Sequence, residues 1–450
     1  MSLQRPADVA GAALVVPADD WPLVRTREAT LTRADLWRRA NAVAQRLPDG
    51  PAALLLCERR EHYLVALLAL ELCERTCLMP PSRAPAVLDE VAATHAGCFR
   101  IDDAFVAAAI AVIPDASPQP RALDPGRVVA IGYTSGSTGR PRPNPKTWRS
   151  FAGPAMCNAT SLRATLGVAG AAQPWIVATV PSQHMYGMEL TAALPLVAGV
   201  GVHASHPLFP ADIASALTAV PAPRVLVSTP VHLRALLDSD IELPALGVIV
   251  SATAPLTTEL AAALEHRYAT RVLEFFGSTE TCVIASRRTA LEGTWTPYPG
   301  LRVTGTADGS QVEAPWLDAP VTLQDLLEFD EQGRFRAAGR SADMIEVAGK
   351  RTSLGDLTRR ILGIPGVRDA VVVQPGQDAG RAVRRLVAFV VSDGPGPQAI
   401  ATALAGLIDP VFMPRPIVCV ERLPRNDVGK LPRDQLLRLV REHVADAAVP

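Results

Sequence analysis

The residues best suited to chemistry lie in a glycine- and hydroxyl-rich stretch, Tyr-Thr-Ser-Gly-Ser-Thr-Gly-Arg-Pro-Arg-Pro-Asn-Pro-Lys, at positions 133–146. An apolar run from Val128 to Ile131 precedes it and predicts a buried strand ending at Gly132. Two glycines let the backbone approach a ligand, and successive amides in such a turn form a concave anion site. The stretch predicts a polyphosphate cradle, with candidate contacts at Thr134, Ser135, Gly136, Ser137, Thr138 and Gly139.

Two common motifs do not fit this stretch. A Walker A loop needs Gly-Lys-Ser/Thr at a spacing that is absent here. The esterase elbow needs a Gly-x-Ser-x-Gly pentad, which does not occur. The alternative to a cradle is a flexible Ser/Gly linker between domains, because that composition usually indicates one.

Lysine is scarce in this chain. Of 44 Lys and Arg residues only three are lysine, namely Lys146, Lys350 and Lys430. A retained lysine indicates a place that needs a compact ammonium rather than a planar guanidinium. Together with Arg140 and Arg142, Lys146 is expected to add positive charge to the anion site.

The stretch at 133–146 resembles the phosphate loop of the adenylate-forming superfamily, which includes acyl-CoA synthetases, aryl-acid ligases, nonribosomal adenylation domains and luciferases. That family expects a lysine soon after the second glycine, where this sequence has Arg142. The terminal stretch 423–433 is similar to the last signature of the family. In it Gly429 allows a tight loop that projects Lys430, and the resemblance implies a catalytic lysine. The alternative is a solvated lysine in an exposed turn.

The stretch 273–281 resembles the family's aromatic-Gly-x-Thr-Glu signature. In such a site Phe276, Gly277 and Ser278 border the nucleotide, and the flat apolar wall suits adenine. Thr279 offers a hydroxyl to phosphate, and Glu280 offers Mg²⁺ the hard oxygen that this ion prefers. The alternative without a ligand is a helix start capped by Ser278 or Thr279.

His184 follows a predicted strand at 175–180 and precedes a helix predicted from Glu189. A lone histidine there is more often structural, but this one lies at the carboxyl end of a strand, where α/β folds bind ligands. The resemblance implies that His184 is catalytic and borders the acyl group. The predicted acid pocket consists of His184, Met185, Tyr186, Gly187, Ser251, Ala252 and Thr253.

The resemblance also implies a ribose site and a hinge. Asp325 and Arg340 match the spacing of the family's ribose-binding pair, and a carboxylate can accept hydrogen bonds from both ribose hydroxyls. An ordinary surface Asp is the alternative. The hinge position, usually Asp or Lys, is Ala342 here, and a lysine common four residues later is Glu346. Hinges need not be charged.

The elements that position these residues alternate along the chain. A helix opened by a capping-type threonine in the stretch 30–35, a strand at 52–57 and a helix at 62–73 predict a sheet covered by helices. Further core strands are expected at 224–228 and 248–251, the second leading into the Ser251–Thr253 segment. Residues 282–324 are expected to form a small β subdomain. Beyond the hinge, paired strands at 367–373 and 386–391 and helices at 357–362 and 397–407 predict an α+β unit.

The predicted fold is α/β: a large N-terminal domain at 1–341 with α/β subdomains and a small β subdomain, then a small mobile α+β domain at 343–450. The resemblance implies two half-reactions. A carboxylate attacks the α-phosphate of ATP with Mg²⁺ present, giving an acyl-adenylate and pyrophosphate. Rotation at Ala342 then withdraws Lys430 and admits the phosphopantetheine thiol of CoA or of an acyl carrier protein.

The substrate is predicted from finer similarity. The Pro-x-Pro-Lys-x-Trp end of the loop and the His-Met-Tyr-Gly-x-Glu segment resemble stand-alone ligases of bacterial aryl-polyene and xanthomonadin pigment clusters. Those enzymes activate small aromatic acids such as 3-hydroxybenzoate and load a carrier protein. Two alternatives stay open: a medium- or long-chain acyl-CoA synthetase, and a non-catalytic nucleotide sensor, which Ala342, Glu346 and Arg142 favour.

Composition bounds the function classes. The chain has 450 residues, 48% hydrophobic and 20% charged, which is typical of globular domains. A net charge of −1 gives no general attraction to nucleic acid or anionic membranes. No apolar run is long enough for membrane insertion, and seven cysteines without a CxxC pair indicate reduced thiols. Composition therefore predicts a soluble cytoplasmic protein, and the resemblance implies that it acts on a small carboxylic acid.

Overall fold

The computed structural model describes residues 14–16, 20–112, 121–135, 141–167, 172–306, 309–340, 343–347, 350–375, 386–426 and 429–444. They form two compact units. The first contains the described residues up to Ala252, together with 258–302 and 313–321. The second contains 253–257, 303–312 and the described residues from 322 onward. The predicted domain boundary at residue 342 stays a prediction.

The strands of the first unit are mostly short and rich in β-branched and aliphatic residues. They are β1 (Leu14–Val16), β2 (Pro22–Arg25), β3 (Thr30–Thr32), β4 (Ala52–Leu55), β5 (Thr76–Met79), β6 (Phe99–Ile101), β7 (Arg121–Leu123), β8 (Val128–Ser135), β9 (Pro141–Thr147), β10 (Trp175–Ala178), β11 (Gly201–His203), β12 (Arg224–Ser228), β13 (Val248–Ser251), β14 (Arg271–Ser278), β15 (Cys282–Arg287) and β16 (Thr296–Pro297).

Its helices are α1 (Arg33–Ala44), α2 (Arg60–Leu72), α3 (Pro85–Ala93), α4 (Asp103–Ile110), α5 (Trp148–Leu166), α6 (Met185–Met188), α7 (Leu194–Ala198), α8 (Pro210–Thr218), α9 (Pro230–Leu237) and α10 (Thr258–Tyr268). A π-helical turn, Glu189–Ala193, joins α6 to α7. Thr32 caps α1 and forms a capping box with Asp35, which confirms the capping threonine predicted in the stretch 30–35. No helix in the described ranges combines the length and apolarity needed to cross a bilayer.

Two sheets organise the first unit. Within the described residues one is nine-stranded, in the order β16-β15-β14-β13-β12-β10-β11-β2-β3, and its central strands are parallel. The predicted strands β12 and β13 have the predicted bounds, and Ser228 pairs with Ser251 in register. Fully buried aliphatic side chains line both strands. Parallel strands covered on both faces read as continuous apolar runs, which made them easy to predict.

The second sheet, β6-β4-β5-β8-β9, corrects the expectation for the phosphate loop. The predicted strand does not end at Gly132. It continues to Ser135 and pairs antiparallel with β9, so most of the predicted loop is a hairpin. Pro141, Pro143 and Pro145 alternate along β9, which lies at the sheet edge. Backbone N–H positions of alternate residues face the same side of a strand, here the side away from β8. The prolines, which have no N–H group, therefore remove no hydrogen bonds between β8 and β9.

The second unit contains β17 (Arg302–Thr306), β18 (Gly309–Glu313), β19 (Val321–Leu323), β20 (Asp325–Phe329), β21 (Phe335–Arg340), β22 (Met344–Val347), β23 (Lys350–Ser353), β24 (Val367–Val373), β25 (Val387–Ser392), β26 (Ile417–Cys419), α11 (Leu354–Leu362), α12 (Pro397–Ala405) and α13 (Arg433–Val444). The predicted pairing of β24 with β25 is confirmed. Packing of α11 and α12 residues such as Leu357 and Ile400 into one core with β24 and β25 confirms the predicted helical cover.

The expectation for residues 282–324 is wrong at its start. β15 and β16 extend the nine-stranded sheet, whereas β17, β18 and β19 form a separate three-stranded sheet. The reason is local. Gly277 allows a bulge in β14 and a tight turn at 278–281, and the chain returns directly along β14 as β15.

Candidate active site

Polar side chains lie at the carboxyl ends of the parallel strands. Thr179, directly after β10, shares a 2.8 Å hydrogen bond with Ser228 Oγ at the end of β12. The Tyr186 hydroxyl donates to the carbonyls of Ser228 and Val250, at 3.4 and 3.3 Å. In an α/β sheet this edge is where ligands bind. The structure thus places Tyr186, a predicted pocket residue, across the ends of β12 and β13.

Three predicted motifs converge at Gly132. A Cβ built on Gly132 would lie 2.7 Å from Met185 Cε and 3.2 Å from Thr279 Cγ2. A real side chain there would force the neighbouring residues to move, since such contacts are shorter than van der Waals distance. The base of the phosphate hairpin, the His184–Gly187 segment and the Gly277–Glu280 signature therefore meet at one point. Sequence reasoning had linked them only by resemblance.

The turn after β14 is built by a serine hydroxyl. Ser278 Oγ accepts hydrogen bonds from the backbone amides of Glu280 and Thr281, at 3.1 and 3.2 Å. Glu280 and Thr279 are therefore presented on a hydrogen-bonded turn between two strands. A Cβ on Gly277 would lie 2.3 Å from the Cys282 carbonyl oxygen, so only glycine fits at that position. The alternative of a capped helix start at Ser278 or Thr279 is wrong.

Phe276 lies on an aromatic surface next to this turn. Its ring is 5.2 Å from that of Trp295, and the Arg287 guanidinium lies 3.6 Å from the Trp295 ring centre. Phe275, on the opposite face of β14, packs into the main core. Half-buried Phe276 beside exposed Gly277 provides a flat apolar wall next to open backbone. This arrangement suits the predicted adenine site.

The pocket segment begins a helix earlier than predicted. His184 precedes α6, and its carbonyl accepts the amide of Met188 at 2.7 Å, so the helix starts at Met185 rather than Glu189. A Cβ on Gly187 would lie 1.9 Å from the Pro181 carbonyl oxygen. This close approach seats the helix against the end of β10 and leaves His184 half-buried.

The other predicted pocket residues follow β13. Ser251 and Ala252 are buried, and Ser251 Oγ has no hydrogen-bond partner among the described residues. Thr253 has a φ of +78°, in the left-handed region that β-branched residues rarely adopt. Such strain is concentrated at functional sites, which is consistent with the predicted role.

Lys146 is buried and contacts the main chain of the signature turn. It is only 2% exposed and donates a hydrogen bond to the backbone carbonyl of Glu280. Its predicted contribution to the charge of the anion loop stays a prediction, because residues 136–140 lie outside the described ranges. Arg142, at the position where the family expects lysine, is exposed on β9. Lys146 is buried whereas its neighbour Pro145 is exposed, because successive side chains of a strand point to opposite faces.

Sequence reasoning missed Glu189. Its carboxylate is fully buried and accepts hydrogen bonds from Asn158 Nδ2 at 2.7 Å and from the Val283 amide at 3.0 Å. The Tyr298 hydroxyl donates to Asn158 Oδ1 at 2.6 Å. Burial raises the pKa of Glu189 to about 7, opposed by these hydrogen bonds and the Lys146 ammonium. A single acid within an apolar helical run, Met188-Glu189-Leu190, was the available signal.

In the second unit, Asp325 pairs in register with Arg340 across β20 and β21. The predicted ribose residues are therefore neighbours on antiparallel strands, and Asp325 lies in a strand rather than an ordinary turn. Gly339, adjacent to Arg340, has a φ of +130°, and a Cβ there would lie 1.9 Å from Ser353 Oγ. Glycine is required where these strands meet the start of α11.

Lys430 is exposed, and described residues around it are hydrogen-bonded. Arg425 makes two 2.7 Å hydrogen bonds to the Asp369 carboxylate and one to the Gly429 carbonyl. Asn426 Oδ1 accepts the Lys430 amide at 2.9 Å. Gly429, with a φ of +78°, makes the turn, as predicted.

Some predicted residues lie outside the described ranges. The structure is described up to Ser135 and again from Pro141, so Gly136, Ser137, Thr138 and Gly139 fall between the two ranges. The predicted hinge, Ala342, is likewise outside them. Thr134 is inside, and its Oγ1 lies 3.4 Å from Asn144 Nδ2.

The donor set fits a Mg²⁺ ion that arrives with a nucleotide. Among the described residues there is no cluster of three or more His, Cys, Asp or Glu side chains that could hold a metal. Mg²⁺ is commonly bound by one or two carboxylates, with phosphate oxygens and water completing its octahedron. Glu280, half-buried on its turn, can supply one such carboxylate.

Comparison with known proteins now identifies the family. Residues 70–307 match the model of the family described as AMP-binding enzyme, and residues 360–430 match its C-terminal domain. The chain belongs to the AMP-binding enzyme family. The superfamily predicted from the phosphate loop and the terminal lysine signature is thereby confirmed.

Individual relatives of the family show how far the similarity extends. A 4-coumarate–CoA ligase of Halorhodospira halophila is 29% identical over 309 residues, covering 66% of this chain and 73% of that protein. A 3-hydroxybenzoate–CoA/4-hydroxybenzoate–CoA ligase of Thauera aromatica is 32% identical over 118 residues, covering 25% of this chain and 22% of that protein. The second match therefore spans about a fifth of that relative.

A solved structure shows that the fold is shared. The o-succinylbenzoate CoA synthetase of Bacillus subtilis, in complex with its acyl-adenylate intermediate, superposes with a TM-score of 0.77 at 18% identity, covering 93% of this chain and 95% of that one. The predicted α/β fold with a small C-terminal domain is confirmed. The chain is an AMP-forming acid–thiol ligase of this family, and its family supports the predicted use of ATP.

Proposed function

We propose that the protein uses ATP and Mg²⁺ to activate a small aromatic carboxylic acid, such as a hydroxybenzoate, as its acyl-adenylate, and transfers the acyl group to a phosphopantetheine thiol. The observation that carries this proposal is the convergence at Gly132, where Met185 and Thr279 meet the base of the phosphate hairpin. Adenylation needs a nucleotide phosphate site next to an acyl site.

Each predicted residue has a role in the first half-reaction. Backbone amides and hydroxyls between Thr134 and Gly139 would hold the departing phosphates. Phe276 and Gly277 would border adenine, and Asp325 with Arg340 would bind ribose. Mg²⁺, when bound with ATP through Glu280, would neutralise charge on the phosphates. Lys430 would stabilise the negative charge that develops on the reacting oxygens.

The acid class is proposed from the pocket chemistry and the relatives. Tyr186 and half-buried His184 give the pocket flat, polar-edged side chains, which suit an aromatic ring better than a flexible alkyl chain. Ligases for 4-coumarate and hydroxybenzoates are among the similar proteins. Similarity to pigment-pathway ligases supports 3-hydroxybenzoate as the first acid to try.

The acceptor is the second part of the proposal. After adenylation, rotation at Ala342 would withdraw Lys430 and let the thiol attack the acyl carbonyl, releasing AMP. We propose an acyl carrier protein as the acceptor, as in the pigment-pathway ligases, with CoA as the alternative. ATP and both acceptors are found in the cytoplasm, the proposed location.

Pyrophosphate release tests the proposal. Purified protein would be supplied with ATP, Mg²⁺ and a panel of hydroxybenzoates, cinnamates and fatty acids, and then with CoA or a loaded carrier protein. Release with hydroxybenzoates, and faster turnover with one acceptor, is the expected result. Release only with fatty acids would replace the acid class by acyl chains. Nucleotide binding without release by any acid would instead indicate a nucleotide sensor.

A further inference from the structure

Lys146 is an unusual lysine. Lysine side chains are almost never fully buried unless they are paired, yet Lys146 is 2% exposed. Its ammonium donates to a backbone carbonyl, that of Glu280. Lys146 lies on β9 of the five-stranded sheet, whereas Glu280 lies on the turn between β14 and β15 of the nine-stranded sheet. This hydrogen bond therefore ties the two sheets together at the signature turn.

The other end of the same turn is held by Glu189. Three residues after Glu280, the Val283 amide donates to both carboxylate oxygens of Glu189, at 3.0 and 3.2 Å. Asn158 on α5 orients that carboxylate, and Tyr298 orients Asn158. Glu189 also begins the π-helical turn after α6, and such turns are frequent at functional sites. The chain from Glu280 to Val283 is thus fixed at both ends by buried charged groups.

We propose that Lys146 is a positioning residue for adenylate formation: by holding the Glu280 carbonyl, it fixes the turn that presents Thr279 and Glu280 to the nucleotide. A ligand-binding turn held before the ligand arrives avoids the cost of ordering it afterwards. The role differs from that of a lysine in the phosphate loop, because the ammonium points at the protein backbone. The kinetic part of this inference rests on the proposed function, but its structural part does not.

The test compares three variants with the wild type. Lys146→Met keeps a long side chain and removes the ammonium. Lys146→Met combined with Glu189→Gln removes both buried ionisable groups. Any loss of stability or activity that arises because the Glu189 carboxylate lacks the Lys146 ammonium is therefore reversed in this variant. Tyr298→Phe removes a hydrogen bond at the far end of the network, keeps Lys146 and Glu189 and does not contact the turn directly, which makes it the matched control.

Three measurements are made on each variant, the first of which is the melting temperature from thermal melts. Hydrogen exchange of the ligand-free protein reports the amides of residues 279–281. Steady-state pyrophosphate release reports kcat and the KM for the acid. For Lys146→Met we expect exchange about tenfold faster or more, and kcat lower by about tenfold or more with the acid KM within about twofold. The double variant keeps both losses while its melting temperature recovers, and Tyr298→Phe shows neither loss.

Two results would overturn the inference. One is wild-type exchange and kcat in Lys146→Met. The other is recovery of kcat in the double variant, which would assign the effect to charge balance rather than to the hydrogen bond. If the wild type itself releases no pyrophosphate with any acid, the proposed function fails, and the exchange data alone decide whether Lys146 holds the turn.

Discussion

Two segments of this protein involve a lysine, and the lysine differs between them: one is buried and supports the main chain, and the other is exposed. At the turn 278–281 a buried lysine from another strand, Lys146, supports the main chain. At the loop 425–430 the main chain is supported by Arg425 and Asn426, and Lys430 is the exposed residue being presented. Both residues are among the three lysines of the chain, and burial distinguishes Lys146, which supports the main chain, from exposed Lys430, for which we propose a catalytic role.

The largest effect expected from this comparison is that of Lys430→Ala. Removing an ammonium that stabilises developing charge should lower adenylate formation by about 100-fold or more. The melting temperature should stay unchanged, because the side chain is exposed. Transfer of a preformed acyl-adenylate to the thiol should survive, since the proposed rotation at Ala342 withdraws the lysine for that step. Both half-reactions are measured separately, and equal losses in the two would contradict the assigned role.

Glu189→Gln tests the buried carboxylate beside the turn 278–281 through the pH dependence of protein stability. The pKa of Glu189 is raised from 4.5 to about 7 in the folded protein, so its stabilising contribution is full below pH 4.5 and is lost as pH rises through 7. Glutamine mimics the protonated form at every pH. Relative to the wild type, the variant should therefore gain about 2 kcal/mol, or several °C, between pH 5 and 8.

The control for this pH experiment is Tyr298→Phe, which alters the same network without changing a titrating carboxyl. Lys146, whose ammonium opposes the rise in the Glu189 pKa, stays in place in both variants. Thermal melts at a series of pH values provide the measurement. A difference between Glu189→Gln and wild type that is independent of pH would show that Glu189 is ionised throughout.

Arg425→Ala removes the support of the Lys430 loop and should have a smaller effect. The bidentate pair with Asp369 is only partly exposed, and its loss should cost about 1–2 kcal/mol of local stability. We expect kcat for adenylation to fall about tenfold with an unchanged KM for the acid. Arg422→Ala, an exposed arginine of the same segment, is the control. Equal activity of the two variants would mean that the loop needs no such support.

The smallest expected effect is a difference in stability between variants of Ser228 and Ser251, which are paired in register on β12 and β13. Ser228 Oγ is hydrogen-bonded to Thr179, so Ser228→Ala should cost about 1 kcal/mol. Ser251, its register partner, has a buried hydroxyl without a partner in the described part of the chain. Ser251→Ala should therefore change stability by less than about 0.5 kcal/mol in either direction. Thermal melts of the two variants decide this, and an equal loss would reveal a hidden partner for Ser251.

The sequence predicted the core well for physical reasons. Strands β12 and β13 are continuous apolar runs, and Thr32 with Asp35 forms a local capping box, so each is specified within a few residues. The hairpin β8–β9 was missed because prolines normally argue against strands. Only the position of β9 at the sheet edge makes Pro141, Pro143 and Pro145 compatible with one.

The residues of the candidate site also fall into two groups, those that the sequence indicates and those that only the structure reveals. Gly277, Thr279, Glu280 and Lys430 could be proposed as site residues because their motifs are contiguous in sequence, and their roles stay predictions. The Lys146 and Glu189 contacts could not, since they join residues 134 and 94 positions apart. Burial decides their role, and burial is set by tertiary packing rather than by local pattern. The proposed pairing of Asp325 with Arg340 relied on spacing and agrees with the observed strand register.

The most direct test of the account is to identify the product of a single turnover. Wild-type protein would be mixed with ATP, Mg²⁺ and 3-hydroxybenzoate in the absence of any thiol, and the quenched mixture analysed by mass spectrometry. The proposed function predicts an acyl-adenylate of this acid, formed with pyrophosphate, and formed at least about 100-fold more slowly in Lys430→Ala. ATP cleaved to ADP and phosphate, or no adenylate with any aromatic acid, would contradict it.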